Sequence, residues 1–364
     1  MHSRQKNRIV AFDLLRAFAV LLMIEGHTVH VFLDSALRKP ENAYYSLWVF
    51  VRGFTAPLFM FTAGLVYVYL LLGKNSGYRM RKGFKRGLSL LALGYLLRFP
   101  SFDIYRLFHA TEAQLKTFSS VDALHIIGLG LIFLNLLFLT AEKIKINYGI
   151  SLFFFSIISV GLSFIINDSR GITELPLFIG AYFTKSSGTI FTLFPWLGYI
   201  LLGGSAGYLS RRKVFSSKEF LCILSATFLI FIVGLIFNNL IENRFANGFL
   251  TFSVRSSAVI FLLTGLQIVF NKDRKLPRSI PALGRNSLLI YVVHLVILYG
   301  SPISLGFYQV IPQRFSLIST LFAVLAMEFL MIKLALYRER KNINLLGIKS
   351  FYGKIAKYKS ELEL

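Results

Sequence analysis

Cysteine is almost missing from this sequence, and acidic residues are scarce. The one cysteine, Cys222, lies in an apolar run, which excludes a disulfide within the chain and favours a structural thiol. Only 17 Asp and Glu residues stand against 40 Lys and Arg residues, and the formal net charge is +23. No Cys or carboxylate cluster accompanies His27 and His30, so we expect no metal site despite their i, i+3 spacing.

What the chain has in abundance is apolar sequence. Hydrophobic residues make up 55%, Phe occurs 37 times, and the mean hydropathy is +0.64. A globule of this composition would not stay soluble. Apolar runs long enough to cross a bilayer predict an all-α polytopic membrane protein with a bundle of about ten transmembrane helices. The predicted spans are 9–33, 45–72, 84–99, 121–141, 148–166, 190–209, 220–238, 254–270, 283–300 and 316–336.

The positive charge is concentrated in alternate connecting segments. Most of the 40 Lys and Arg residues fall in segments that share one side of the membrane if the amino terminus is cytoplasmic. This positive-inside pattern predicts that both termini are cytoplasmic, and it explains the charge without nucleic acid. A second interpretation is that some basic blocks also hold an anionic, phosphate-bearing ligand. Because we find no linker or appended soluble domain, we predict one membrane domain over 1–364, with a short basic cytoplasmic tail at 337–364.

The first predicted span carries an unusual set of ionisable residues. At 100° per residue, Asp13, Arg16, His27 and His30 fall within about 60° of one another on a helix. Such a stripe must face protein or water rather than lipid. Glu25 lies about half a turn from Arg16 and needs a different partner. Charge inside a membrane indicates a functional site by default.

Two further spans carry polar residues at helical spacing. Asp122 and His125 lie together near the outer end of the fourth span. Ser287, Tyr291 and His294 form one polar stripe on the ninth span. A lone histidine in such a helix often only bonds a neighbouring helix. However, three histidines at middle or outer depth on different spans favour a shared polar cavity.

Two arginines occupy the outer ends of predicted spans. Arg52 lies near the start of the second span, and Arg255 lies near the start of the eighth. Snorkelling toward the interface is the ordinary interpretation of such residues. Pairing with Glu25 or Asp122 is the alternative.

Several blocks resemble the transmembrane acyltransferases. Residues 12–17 and 23–27 are similar to the opening helix of the heparan-alpha-glucosaminide N-acetyltransferase-like group and of the related acyltransferase family three. The resemblance continues in residues 54–64, 121–128, 194–199 and 283–294. The heparan-type pattern has Gly and Asn where this chain has Ala17 and His27, so the acceptor of that branch does not carry over. The spacing of Arg16 and His27 instead matches family three.

The resemblance implies transfer of an acyl group, expected to be acetyl, from cytoplasmic acyl-CoA to a hydroxyl or amine of a sugar on the outer side. It implies His27 as the general base, because an imidazole can accept a proton near neutral pH. Arg16, lying about 16 Å deeper than His27 along the helix, would line the donor path with Asp13 holding it. Tyr291 and His294 would orient the thioester or the acceptor. The remaining pair, Asp122 and His125, would bind sugar hydroxyls.

A proton-coupled transporter or flippase of a glycan or small solute is the main alternative, because such proteins also place His, Asp and Arg inside the membrane. The sequence shows no inverted repeat or matched pair of broken helices, which favours the enzyme. A structural scaffold would not need the ionisable stripe. A bias toward Lys, Asn, Ile and Phe is typical of an AT-rich bacterial genome and indicates a bacterial cytoplasmic membrane.

Overall fold

The computed structural model describes residues 10–73, 76–103, 105, 108–167, 174–185, 188–238, 244–270, 276–311 and 313–341. Within these ranges the chain is helical, and its β-structure is limited to the isolated bridges Leu33–Phe315 and Ser301–Ser304. The predicted all-α class is therefore confirmed. The predicted amino-terminal segment 1–8 and the tail beyond Lys341 lie outside the described residues.

Most helices of the first half lie in the predicted apolar runs, but the run 45–72 forms two helices, and the helix Glu112–Ser119 lies between two runs. The helices of the first half are α1 (Val10–Phe32), α2 (Ala43–Arg52), α3 (Thr55–Leu71), α4 (Ser76–Leu97), α5 (Glu112–Ser119) and α6 (Ala123–Ile144). The helices of the second half are α7 (Tyr148–Asn167), α8 (Leu193–Arg212), α9 (Ser217–Asn238), α10 (Arg244–Val269), α11 (Ser279–Arg285), α12 (Ser287–Tyr299) and α13 (Leu317–Lys341). Single helical turns lie at Ser35–Leu37, Leu177–Gly180 and Phe307–Val310.

Six helices of the described chain are long and apolar enough to cross a membrane. They are α2 with α3, α5 with α6, α7, α9, α10 and α13. Helices α11 and α12 make a seventh if they are one span, although they are bent by 80°. The predicted total of about ten spans stays a prediction, because α1, α4 and α8 are not among these six. The orientation of the termini stays a prediction as well.

Close approach of two helix backbones organises the centre of the bundle. Helix α8 packs along α3 and α7, and its glycines make this contact. A Cβ atom on Gly203 would lie 2.7 Å from the carbonyl carbon of Phe61, and one on Gly207 would lie 3.1 Å from that of Leu65. On the facing helix, Gly64 has the same relation to Ile200, at 2.9 Å. Small residues let membrane helices pack at this distance.

Helix α1 lies between two hydrophobic clusters. Its Leu15 and Met23 belong to a cluster shared with α3, α6, α7 and α8. Its Val20 and Ile24 belong to a second cluster, shared with α11, α12 and α13. Protein therefore covers α1 on both sides, which is the environment that its ionisable stripe requires.

The outer surface of the bundle is apolar. Only 11% of the most apolar stretch of α9 is buried, and only 22% of that of α13. Cys222 of α9 is exposed, so it does not fill the core. Side chains as apolar as Leu229, Phe322 and Phe329, each more than 60% exposed, are at home against lipid rather than water.

Candidate active site

Two histidines from distant parts of the sequence meet near the carboxyl end of α1. The ring centroids of His27 on α1 and His294 on α12 lie 5.3 Å apart. Nδ1 of His294 lies 2.7 Å from the carbonyl oxygen of Ile290. Because a carbonyl oxygen only accepts, Nδ1 must carry the proton and donate it, which leaves the lone pair on Nε2. That Nε2 atom is buried and has no hydrogen-bond partner within the chain, so it can accept a proton or a substrate hydrogen bond.

A tyrosine hydroxyl joins two histidines of α1. The Tyr299 hydroxyl lies 3.2 Å from Nδ1 of His27 and 2.9 Å from Nδ1 of His30. A hydroxyl has one proton, so it donates to one ring while the other ring donates to it. When Nδ1 of His27 donates a hydrogen bond to the Tyr299 hydroxyl, the free lone pair of the His27 ring lies on Nε2. The Tyr308 ring stacks on His30, with centroids 5.9 Å apart.

Asp122 and His125 form a buried pair at the start of α6. The Asp122 carboxylate caps this helix, accepting hydrogen bonds from the backbone N–H groups of Leu124 and His125 at 2.9 and 3.3 Å. The His125 ring also bonds it at 2.8 Å. On its other side, Nε of Arg98 lies 3.7 Å away, and Arg98 also bonds the Ser120 hydroxyl. The carboxylate is thus largely saturated by the protein itself.

Tyr291 connects this pair to the two facing histidines. Its hydroxyl interacts with Asp122, and its ring lies 5.8 Å from the His294 ring. The Phe59 ring of α3 stacks on it at 6.3 Å. Tyr291 is only 5% exposed. The ionisable residues of three helices therefore belong to one continuous polar region.

A cavity of ≈ 160 Å³ extends from this region toward the other end of the bundle. Arg16 of α1 and Arg86 of α4 line it. Asp13 and Arg285 lie close enough to Arg16 to interact with it electrostatically. Arg16 donates a hydrogen bond to the Ser287 hydroxyl at 3.2 Å. Because α12 begins at Ser287 without a side-chain cap, its first N–H groups add positive potential. The cavity is therefore suited to an anion.

Phe59 and Leu124 line the opposite end of this cavity. Phe59 is the ring that stacks on Tyr291, and Leu124 is bonded to Asp122. The cavity thus leads from two arginines to the neighbourhood of the two histidines. Its remaining wall is mostly apolar, formed by α3, α4 and α6, as expected for a passage that holds an extended flexible chain.

Glu25 and the two outer arginines lie beside the site with partners of their own. Glu25 accepts a hydrogen bond from the indole of Trp48, and the guanidinium carbon of Arg52 lies 5.2 Å from the centroid of that indole. Arg255 lies close enough to Tyr199 to interact with its hydroxyl. Glu25 thus has the separate partner that its position on the helix demanded, while Asp122 pairs with Arg98 rather than with Arg52 or Arg255.

The structure brings most of the predicted site residues together. His294 contacts both His27 and Tyr291, and Asp122 and His125 adjoin Tyr291. Arg16 lines the cavity, and Asp13 lies one turn before it on α1. Among the described residues, no group of three or more His, Cys, Asp and Glu side chains could hold a metal ion. The catalytic and binding roles assigned to these residues stay predictions.

Three functional candidates were not singled out from the sequence. Tyr299 lies off the polar stripe of α12, and its contact with α1 depends on how the two helices pack. Arg86 looked the same as the other cations of its basic block. Of the three, only Arg98 could have been recognised from the sequence, because it is a cation in the apolar outer part of the predicted span 84–99.

Comparison with known families agrees with this site. The family model described as heparan-alpha-glucosaminide N-acetyltransferase, catalytic, matches residues 8–233, which is more than half of the chain. The match contains Arg16, His27, Asp122 and His125, while His294 lies beyond it. No curated protein matches the sequence. The match and the apolar helices together support an acetyltransferase-like function for an integral membrane protein. The chain thus belongs to the heparan-alpha-glucosaminide N-acetyltransferase catalytic family.

Proposed function

We propose that this protein transfers an acetyl group from cytoplasmic acetyl-CoA to a hydroxyl or amine of a sugar on the outer side of a bacterial cytoplasmic membrane. The observation that carries the proposal is the pair of imidazoles, His27 and His294, whose centroids lie 5.3 Å apart. They stand beside the end of a cavity whose other end holds Arg16 and Arg86. Such a path supplies a base at one end and an anion site at the other.

The donor lies along the cavity with its phosphates at the arginines. Guanidinium groups bind phosphate through charge-assisted, paired hydrogen bonds, and the start of α12 at Ser287 adds unpaired N–H groups. The apolar wall between Phe59 and Leu131 accommodates the pantetheine arm. Eleven residues of helix separate Arg16 from His27, about 16 Å, and the arm carries the thioester across this distance. Asp13 keeps Arg16 in place for this contact.

The chemistry takes place at the histidines. Nε2 of His27 removes the proton of the acceptor, and the acceptor oxygen or nitrogen attacks the thioester carbonyl. The C–S bond breaks, and the proton on His27 passes to the departing sulfur, so that CoA leaves as a free thiol. The Nε2 atom of His294 orients the acceptor through a second hydrogen bond. Tyr291, which contacts the cavity residue Phe59 and the His294 ring, orients the thioester or the acceptor.

The acceptor approaches from the outer side. Tyr308 is 38% exposed and stacks on His30, so an aromatic face lies beside the catalytic rings, where a sugar ring can pack. Asp122 and His125 already bond each other, and we propose that they contact the acceptor only through their outer edges. This arrangement requires the predicted topology, with both termini in the cytoplasm.

The test is transfer from labelled acetyl-CoA by the purified protein in detergent, scored as release of free CoA. His27→Ala should lower turnover by about 10²–10⁴-fold, the range for loss of a general base, while leaving the affinity for acetyl-CoA intact. His109→Ala is the matched control, because His109 is exposed and its Nδ1 bonds the Tyr105 carbonyl oxygen of its own turn. Full activity of His27→Ala would remove His27 as the base. A wild-type protein that neither binds nor consumes acetyl-CoA would favour a transporter instead.

A further inference from the structure

A second cavity, of ≈ 290 Å³, lies at the other end of the same bundle. It is formed where α3, α6 and α8 end and α7 begins. In the proposed topology this is the cytoplasmic surface. Its polar lining residues are Glu142, Asn147, Tyr148, Tyr208 and Arg212.

The two cavities lie along one face of α6. Leu124 and Leu131 line the first cavity, and Phe138 and Glu142 line the second. Successive intervals of seven, seven and four residues keep these side chains on the same side of a helix. Only about 10 Å of helix separates Leu131 from Phe138.

A hydrogen-bonded pair lies at the part of α6 between the residues that line the two cavities. Tyr67 lines the first cavity and donates a hydrogen bond to Asn135, which lies on α6 between Leu131 and Phe138. The amide nitrogen of Asn135 is buried without a partner. A Cβ atom on Gly83 would lie 2.8 Å from that nitrogen, so this glycine leaves the space that the pair occupies. A ligand that occupied both cavities would pass this pair.

The chemistry of the second cavity is that of a purine nucleotide site. The guanidinium carbon of Arg212 lies 5.8 Å from the centroid of the Tyr208 ring, and nucleobases stack on such aromatic and guanidinium planes. The Asn147 oxygen accepts the Ile150 N–H at 3.1 Å, which leaves its amide donors for a base edge. Glu142 can accept from an exocyclic amine. No ion pair engages Arg212 in the part of the chain that the structure describes, so it can bind a phosphate.

We propose that this second cavity binds the 3′-phosphoadenosine end of the acyl donor. This inference rests on the proposed function, in which the acyl donor is acetyl-CoA. The donor then spans the bundle, with its nucleotide in the second cavity, its diphosphate at Arg16 and Arg86, and its thioester beside His27. The mixed lining, which includes both Glu142 and Arg212, suits a base with an attached phosphate better than a free phosphate ion.

The experiment compares two donors that differ only in the nucleotide. Initial rates are measured with acetyl-CoA and with acetyl-pantetheine for the wild type, Arg212→Gln and Arg211→Gln. Arg211 is the matched control, because it stands over Tyr69 and not in the cavity. We expect Arg212→Gln to raise the KM for acetyl-CoA roughly tenfold or more, the effect of losing one charge-assisted phosphate contact. The KM for acetyl-pantetheine should be unchanged.

Each outcome decides one question. An unchanged KM for acetyl-CoA in Arg212→Gln would overturn the inference, and so would an equal rise for both donors, which would indicate a general structural defect. An equal effect in Arg211→Gln would show that only the charge of the inner surface matters. If the wild type uses neither donor, the proposed function itself fails. As an independent check, 3′-phosphoadenosine 5′-phosphate should inhibit the wild type competitively and inhibit Arg212→Gln at least about tenfold less strongly.

Discussion

Replacing Asp122 by alanine should destabilise the protein more than any other single change of a carboxylate at a helix start. Asp122 is 5% exposed, and its carboxylate accepts hydrogen bonds from the Leu124 N–H, the His125 N–H and the His125 ring. Loss of a helix cap costs about 1 kcal/mol. Loss of a buried charge-assisted hydrogen bond adds about 1.5–3 kcal/mol. Arg98 and His125 also lose their shared partner, so we expect a total of about 3–5 kcal/mol.

The assay is the melting temperature of the purified protein in detergent. At roughly 2 °C per kcal/mol for a chain of this size, Asp122→Ala should lower it by about 6–10 °C. Asp34→Ala is the matched control, because the Asp34 carboxylate also caps a helical turn, accepting from the Ala36 N–H at 2.7 Å near the surface. This control should cost about 1 kcal/mol. Asp122→Asn keeps an oxygen for the cap and should lie between the two.

Equal melting temperatures for Asp122→Ala and Asp34→Ala would refute this reasoning. That result would mean that the contacts around Asp122 contribute no net stability. A role in acceptor binding would then become the better explanation of the cluster. A large loss of stability, with an unchanged rate of transfer to the acceptor in Asp122→Asn, would instead assign Asp122 to the framework of the site.

Two further changes test the packing and the hydrogen bonds around α1 and α8. Gly203→Ala should destabilise the protein by about 1–3 kcal/mol, because the new methyl group meets the α3 backbone. The control is Gly77→Ala, which should be tolerated because a Cβ there meets nothing within 4 Å. Equal melting temperatures of the two variants would contradict the close packing. Tyr299→Phe removes the hydroxyl that bonds His27 and His30. It should lower turnover about 5–15-fold, equivalent to one hydrogen bond, with little effect on the KM for acetyl-CoA. Unchanged turnover would show that Tyr299 does not orient the base.

The linear pattern of hydropathy was enough to predict the helices. Each apolar run is long enough that a helix is the structure that satisfies its backbone in lipid, and the polar stripes of α1 and α12 followed from the helical period. The interruption at Asn286 was not predicted, although the bend of 80° there is what places Ser287 at a helix start beside Arg16. Local helix propensity does not predict this bend, because packing against α1 and α13 stabilises it.

The sequence by itself determined which residues are expensive to keep in a membrane, and therefore which ones point to a function. Arg16, His27 and His294 stand out because a charge or an imidazole in an apolar helix must face protein or water. The tertiary structure decided which of them meet. His27 and Tyr299 are 272 positions apart, and their contact depends on the crossing of two helices. Hydropathy has no information on that crossing, because side-chain packing sets it.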